Sequence, residues 1–275
     1  MRAPNPAIFA GPNVLPFPRR TEARQAWTIK ALANGEAEVW IYGDIGASWF
    51  DDGITAKGFS DDLKALGKVT LLNVYINSPG GAVFEGVAIY NTLRRHAARK
   101  IVHIDGLAAS IASVIAMAGD EIRIATNGMM MIHNPYGLAM GEADELRRMA
   151  DALDKIKGAI LDTYVLRTGG KADEIERQMD AETWMNADEA VAAGFADLIT
   201  EPVEMAAFAG LDVSAYRRPP EALKAAAAAP KPEPAPSADD ITERADGAPG
   251  SGRKPHPALA SVEARLRRRG LSPAA

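Results

Sequence analysis

The chain has 275 residues, 47% hydrophobic and 24% charged, so it carries the apolar material for a sizeable core. It contains no cysteine, which excludes disulfides, thiolate metal sites and a cysteine nucleophile together. A formal net charge of −5 gives no general reason to expect nucleic acid, and no run of 18 apolar residues offers a membrane span.

The first 35 residues are proline-rich and weakly patterned, and are read as an N-terminal arm without the apolar stretch of a signal peptide. AEVWIYGDIG (37–46) alternates apolar and polar residues and ends in glycine, which predicts a strand. GITAKGFSDDLKALG (53–67) predicts a helix with Ser60 or Asp61 near its start. KVTLLNVYINS (68–78) is a continuous apolar run of the kind buried on both faces of a parallel sheet. The turn SPGG (78–81) follows, then a helix over 83–97 and a strand over 100–106. ASIASVIAMAG (109–119) predicts a small-residue helix, and 120–126 and 129–133 predict short strands. A long charged helix is expected from Gly141 to about Thr168, then shorter helices over 172–180 and 187–194 and a strand-like FADLI (195–199).

Strand and helix alternate throughout, which predicts an α/β fold built of βαβ units around a mainly parallel sheet. The large helical excursions favour a spiral of such units over a flat doubly wound sheet. Near residue 217 the composition changes: the last 59 residues hold 15 Ala and 10 Pro. Such a segment cannot bury enough apolar surface to offset its ordering entropy. The expected division is an arm (1–35), a folded domain (36–202) and an Ala/Pro-rich linker with a disordered low-complexity tail (203–275).

Three features carry chemistry. Ser110 lies in the nearly chargeless DGLAASIASVIAMAGD (105–120), at a strand-to-helix junction. A hydroxyl there is exposed at a strand end beside free helix amides. Read alone, it is equally a helix cap or a small packing residue. Ser113 competes but lies inside the helix. His133 ends an apolar strand and precedes Asn-Pro, so it leaves the sheet at the edge where α/β folds meet ligands. The other histidines are placed less well: His96 is beside two arginines, His103 is within a strand, and His256 is in the tail. SPGG offers unpaired N–H groups and close backbone approach, or an ordinary turn. There is no GxxxxGKS/T or GxGxxG phosphate loop. A nucleophile, a base and a pair of amide donors are what acyl transfer needs.

INSPGG (76–81), DGLAASIAS (105–113), MMMIHNP (129–135) and IERQMDAETWMNADEAVAAGFAD (175–197) together resemble the proteolytic subunit of the Clp protease (peptidase S14) superfamily, and more closely its phage head maturation (prohead) protease branch. The resemblance covers roughly residues 37–200. It implies a crotonase-like spiral of ββα units, with the helix from 141 to about 168 as a protruding handle. It makes Ser110 the nucleophile, His133 the general base, and the Gly81 and Ile111 N–H groups the oxyanion hole. The substrate peptide would lie as an added strand beside 81–84 and 134–138. It further implies an ATP-independent serine endopeptidase acting on capsid or scaffold proteins or on itself, assembled as a homo-oligomeric ring in the host cytoplasm. No cofactor, metal, nucleic acid or membrane is expected.

The third catalytic member departs from the family pattern. Gln178 stands where housekeeping relatives have the aspartate of IERD, and it cannot carry the charge that stabilises an imidazolium. Asp180 is the expected replacement. Glu182, another carboxylate such as Asp162, and no third member are the alternatives. Rival readings of the whole chain are a housekeeping subunit working with an ATP-dependent unfoldase, an acyl-CoA hydratase or isomerase on the same fold, and an inactive assembly protein.

Overall fold

The computed structural model describes residues 27–46, 54–202, 213, 216–221, 223 and 224. All of them fall in one compact unit, Met1–Pro232. Most of the expected arm, and the expected tail from residue 225 on, lie outside the described residues.

The described strands are β1 (Trp27–Ala31), β2 (Glu36–Tyr42), β3 (Leu71–Ser78), β4 (Arg99–Ala109), β5 (Glu121–Ala125), β6 (Met129–Ile132), β7 (Thr183–Asn186) and β8 (Leu198–Thr200). The helices are α1 (Ala56–Ala65), α2 (Val83–Arg95), α3 (Ile111–Ala116), α4 (Ala143–Thr168), α5 (Ala172–Ala181) and α6 (Ala187–Ala192). One sheet runs β1-β2-β3-β4-β5-β8, parallel from β2 to β8, with β1 antiparallel at its edge. The alternation of elements thus produces the predicted parallel α/β sheet.

Strand β4 is the hinge of the architecture. Its first half, Ile101–Ile104, pairs with β5, and its last three residues, Leu107–Ala109, pair with β6 instead. The sheet therefore forks, and β6 and the antiparallel β7 form a second leaf. Leu107, Ala108 and Ala109 are fully buried. A register shift opposite Ile76 and Ser78 accompanies the fork, and the buried Asn77 side-chain oxygen accepts from the Leu107 N–H at 3.1 Å.

Helices cover one face of the main sheet. Leu72, Val74 and Ile76 of β3 are fully buried there, each contributing about 1.5–3 kcal/mol. The other face of β3 is half-buried, unlike the two-sided burial that its apolar run predicts. Tyr75 stacks on that face between Trp40 and His103, with ring centroids 5.4 and 4.7 Å apart.

Several expectations shift. Residues 27–31, read as arm, form an edge strand, because Trp27 and Ile29 pack on the core and Trp27 Nε1 donates to Asp62 at 2.8 Å. Two apolar positions in five residues are too few for a sequence pattern to register. Helix α1 starts at Thr55, whose hydroxyl caps the Gly58 N–H, and not at Ser60 or Asp61. Strand β7, inside the TWMN stretch, has no counterpart among the predicted elements; it exists because β6 offers it a pairing edge. Beyond residue 202, Val213 and Leu223 are buried against Leu107, Ala109 and Met131. Part of the segment assigned to the linker therefore belongs to the fold.

Helix α4 begins in a reciprocal capping box, Glu142 with Glu145, and ends at Gly169 in the left-handed region. Its C-terminal half is anchored by Ile160 and Tyr164, and its N-terminal half is largely exposed, which is the handle expected from the family resemblance. The Tyr164 hydroxyl meets the Ser113 hydroxyl at 2.7 Å, and Ser113 Oγ also donates to the Ser110 carbonyl at 2.5 Å. Tyr164→Phe removes one hydroxyl and leaves Ser113 bonded. The expected result is a loss of about 1 kcal/mol in urea denaturation with an unchanged slope.

Candidate active site

Ser110 is the single residue between β4 and α3. Its backbone is at φ 55° and ψ −128°, a left-handed conformation that costs a non-glycine residue on the order of 1–3 kcal/mol. The turn is locked from both sides. The Ser110 N–H donates to the Met131 carbonyl at 3.0 Å, and the Ser110 carbonyl accepts from the Ser113 N–H at 3.0 Å. These bonds keep the hydroxyl at the strand end and fix Ser113 as a buried structural partner.

The pairing of Ala109 with Met131 brings Ser110 level with the end of β6, one residue before His133. His133 Nε2 lies 2.7 Å from Ser110 Oγ. The two residues selected from sequence are therefore in direct hydrogen-bond contact. Burial holds the His133 imidazole below its usual range; the Glu182 carboxylate opposes this, and the Arg217 cation adds to it. A neutral imidazole at neutral pH is the form that accepts a proton.

The SPGG turn packs directly on this pair. A Cβ on Gly80 would fall 2.7 Å from both the Ala109 carbonyl oxygen and Ser110 Cβ, and Gly80 has φ 98°. Gly81 bridges Ile45, whose N–H and C=O bond to Gly80 and Ala82 respectively. The Gly81 N–H therefore faces away from Ile45. Ile111 opens α3, so its N–H has no partner within the helix. A shallow pocket beside the pair is walled by Val83, Ile111, Val114, Pro135 and Ile160. Met130 and Met131 are fully buried and fill the core.

Asp180, the expected third member, sits elsewhere. Its carboxylate is exposed and accepts from Lys157 Nζ at 2.8 Å and Asn134 Nδ2 at 2.7 Å. The bond from Lys157, then that from Asn134, lowers its pKa. It joins α5 to α4 and to the residue after His133, and its charge is balanced by a lysine.

Glu182 is nearer in kind to what an imidazolium needs. It is 8% exposed and sits at φ 54° as the cap of α5. Burial alone would raise its pKa, yet the N–H donors of Arg217, Arg218 and Trp184 outweigh that and hold the carboxyl below its usual range. Tyr216 completes the wall. Its ring meets His133 edge-on at 5.4 Å, and its hydroxyl donates to the Pro79 carbonyl. Sequence reading missed Tyr216–Arg218, whose signal is one tyrosine in an otherwise low-complexity stretch. Of the remaining histidines, His103 is engaged with Tyr75 and Asn73, His96 accepts from the Ala98 N–H, and His256 lies outside the described residues.

The Clp protease family profile matches residues 55–203, more than half of the chain. This chain belongs to the Clp protease family. It is accordingly a serine-type peptidase of the ClpP kind. Among solved structures it is similar to a point mutant of ClpP1 from Listeria monocytogenes, at 25% identity and a TM-score of 0.53, covering 60% of this chain and 91% of that one. Clp proteases form homo-oligomeric rings and act on protein substrates. Among the described residues no helix of this Clp protease is long and apolar enough to cross a membrane, and no three His, Asp or Glu side chains converge as metal ligands would.

Because the folded-state pKa of His133 is depressed, its basic form persists as pH falls through the ordinary imidazole range. The rate of labelling by a fluorophosphonate probe, followed against pH, is expected to have its acid-limb midpoint below about 6.5. Gly80→Ala drives a Cβ into Ser110 and is expected to lower that rate at least about 100-fold, as loss of oxyanion-site geometry does.

Proposed function

We propose that this chain is a serine endopeptidase that uses no ATP of its own and processes phage capsid-assembly proteins (scaffold, capsid protein or the protease itself) during head maturation. The observation that carries the reading is the 2.7 Å contact of His133 Nε2 with Ser110 Oγ, with the Gly80–Gly81 turn packed against Ser110. The DAETW stretch and the Ala/Pro-rich segment after residue 217 support the phage branch, the latter as a tether to an assembling shell.

In this mechanism Ser110 Oγ attacks the scissile carbonyl carbon as its proton passes to His133 Nε2. The C–O bond forms, and the carbonyl electron pair moves to the oxygen, which the Gly81 and Ile111 N–H groups stabilise. Collapse breaks the C–N bond, and His133 returns the proton to the leaving amine. Water repeats the cycle on the acyl-enzyme. The substrate runs extended beside 81–84 and 134–138, with an apolar side chain in the pocket next to Val83 and Ile160. Helix α4 and the exposed Tyr136, Leu138 and Met140 are the surfaces through which subunits would assemble in the host cytoplasm.

A second reading, a housekeeping subunit partnered by an ATP-dependent unfoldase, draws on the match that spans 91% of the Listeria ClpP1 chain. Co-expression with the capsid protein of the same phage separates the two. Intact-mass analysis is expected to find defined capsid-protein or self-cleavage products without any added unfoldase. Ser110→Ala is expected to keep the fold and lower cleavage by at least about 1,000-fold. Cleavage that needs an unfoldase would favour the second reading, and undiminished cleavage by Ser110→Ala would remove Ser110 from its role.

A further inference from the structure

The chain returns to the Ser110–His133 pair after the family domain has ended. The profile match stops at residue 203, yet Val213 and Leu223 are buried against Leu107, Ala109 and Met131. Between these anchors in sequence, the Arg217 and Arg218 N–H groups donate to the Glu182 carboxylate at 2.9 and 2.6 Å, and Arg218 Nη1 donates to the Ala181 carbonyl at 3.3 Å. Apolar burial and hydrogen bonds together fasten the described residues of 213–224 to the leaf formed by β6 and β7. Tyr216 is thereby set beside Ser110 and His133.

Tyr216 uses both ends of its side chain there. Its hydroxyl donates to the Pro79 carbonyl and also hydrogen-bonds the Ser110 side chain. Its ring meets His133 edge-on at 5.4 Å and Trp184 edge-on at 5.6 Å. Pro79 leads into the Gly80–Gly81 turn. The far side of that turn is tied to Ile45, whose N–H donates to the Gly80 carbonyl at 2.8 Å and whose carbonyl accepts from the Ala82 N–H at 2.7 Å. Tyr216 ties the near side to Ser110. A phenol suits this task, because its apolar body fills the cluster while one polar tip reaches a carbonyl. Burial holds the phenol above its usual range, so it keeps the proton it donates. The groups facing His133 are Ser110, Tyr136, Tyr216, Glu182 and Arg217.

We propose that Tyr216 is a positioning residue of this site: its hydroxyl sets the Gly80–Gly81 turn against Ser110, and its ring closes one side of His133 to water. The proposal rests on the serine-peptidase reading of the Ser110–His133 pair. The two roles are separable. The hydroxyl governs how the turn stands relative to the carbonyl that Ser110 attacks, and a misplacement of about 1 Å at such a site costs on the order of 100-fold in rate. The ring contributes to the burial of His133, which is the main cause of its lowered pKa. A segment outside the matched domain thus completes the site.

The test uses the full-length protein and a fluorophosphonate probe at a series of concentrations, which separates the maximal labelling rate from the half-saturating concentration. Tyr216→Phe keeps the ring and removes the hydroxyl. Its maximal rate is expected to fall at least about 10-fold, with the half-saturating concentration within about 2-fold of the parent's and the acid-limb midpoint unchanged. Tyr216→Ala removes the ring as well. Water then reaches His133, and the acid-limb midpoint is expected to rise toward about 6.5, because the burial that lowered it is relieved. A merely structural tyrosine would lower the urea midpoint of both variants and move neither the maximal rate of the folded protein nor the acid-limb midpoint. A Tyr216→Phe maximal rate within about 10-fold of the parent's or above it, or a Tyr216→Ala acid-limb midpoint equal to the parent's, overturns the proposal. Should Tyr216→Ala not fold, the Tyr216→Phe rate decides alone. A parent protein that does not label, or a Ser110→Ala variant that does, would instead sink the peptidase reading itself.

Discussion

The geometry of the Ser110–His133 pair depends on how the last three residues of β4 pair. Leu107, Ala108 and Ala109 leave the main sheet and take Met129, Met130 and Met131 as partners. This sets Ser110 beside Met131, and the resulting N–H to carbonyl bond fixes the turn in which Ser110 sits. The same pairing carries β6 to the point where His133 steps out of the sheet. A one-residue slip would exchange the two faces of β6 and turn His133 away from Ser110. Leu107, Ala108 and Ala109 are all fully buried, Ala108 in the main core and the other two in the smaller cluster with Met131.

The strain at this site is held by rigid surroundings. Ser110 and Glu182 both occupy left-handed backbone, and each is flanked by short regular elements whose apolar faces are buried. Gly80 and Gly81 meet the same constraint from the other side, because any Cβ on them would strike Ser110 or Ile45. In the proposed reaction, preorganised donors and a fixed hydroxyl would need little rearrangement as charge develops. Behind them, Ser113 and Tyr164 couple the Ser110 turn to the handle helix through buried hydroxyls.

Much of this was legible in the chain. The alternation of elements pointed to the parallel sheet, and Ser110 and His133 stood out because few other residues in an apolar stretch could do chemistry. The misses share a cause. Strands β1 and β7 are short and borrow their stability from a partner edge, so neither has a periodicity of its own. Asp180 looked like the orienting carboxylate because it is the first acid after Gln178. Two residues of helix turn its side chain toward α4 and Lys157, whereas Glu182, just past the helix end, is carried inward. Arg217 and Arg218 lay in a stretch whose composition reads as linker, and their role comes from backbone N–H groups that every residue except proline possesses.

The sequence by itself determined the kinds of group available: a serine, a histidine, a glycine turn, carboxylates and no thiol. It also determined the order in which strands and helices form, because periodicity and capping are local. Only the tertiary structure decided which carboxylate is buried near the Ser110–His133 pair and which segments close around it. Those outcomes depend on sheet register and on contacts between residues more than 30 positions apart, such as Arg217 with Glu182, and no local pattern encodes such pairings.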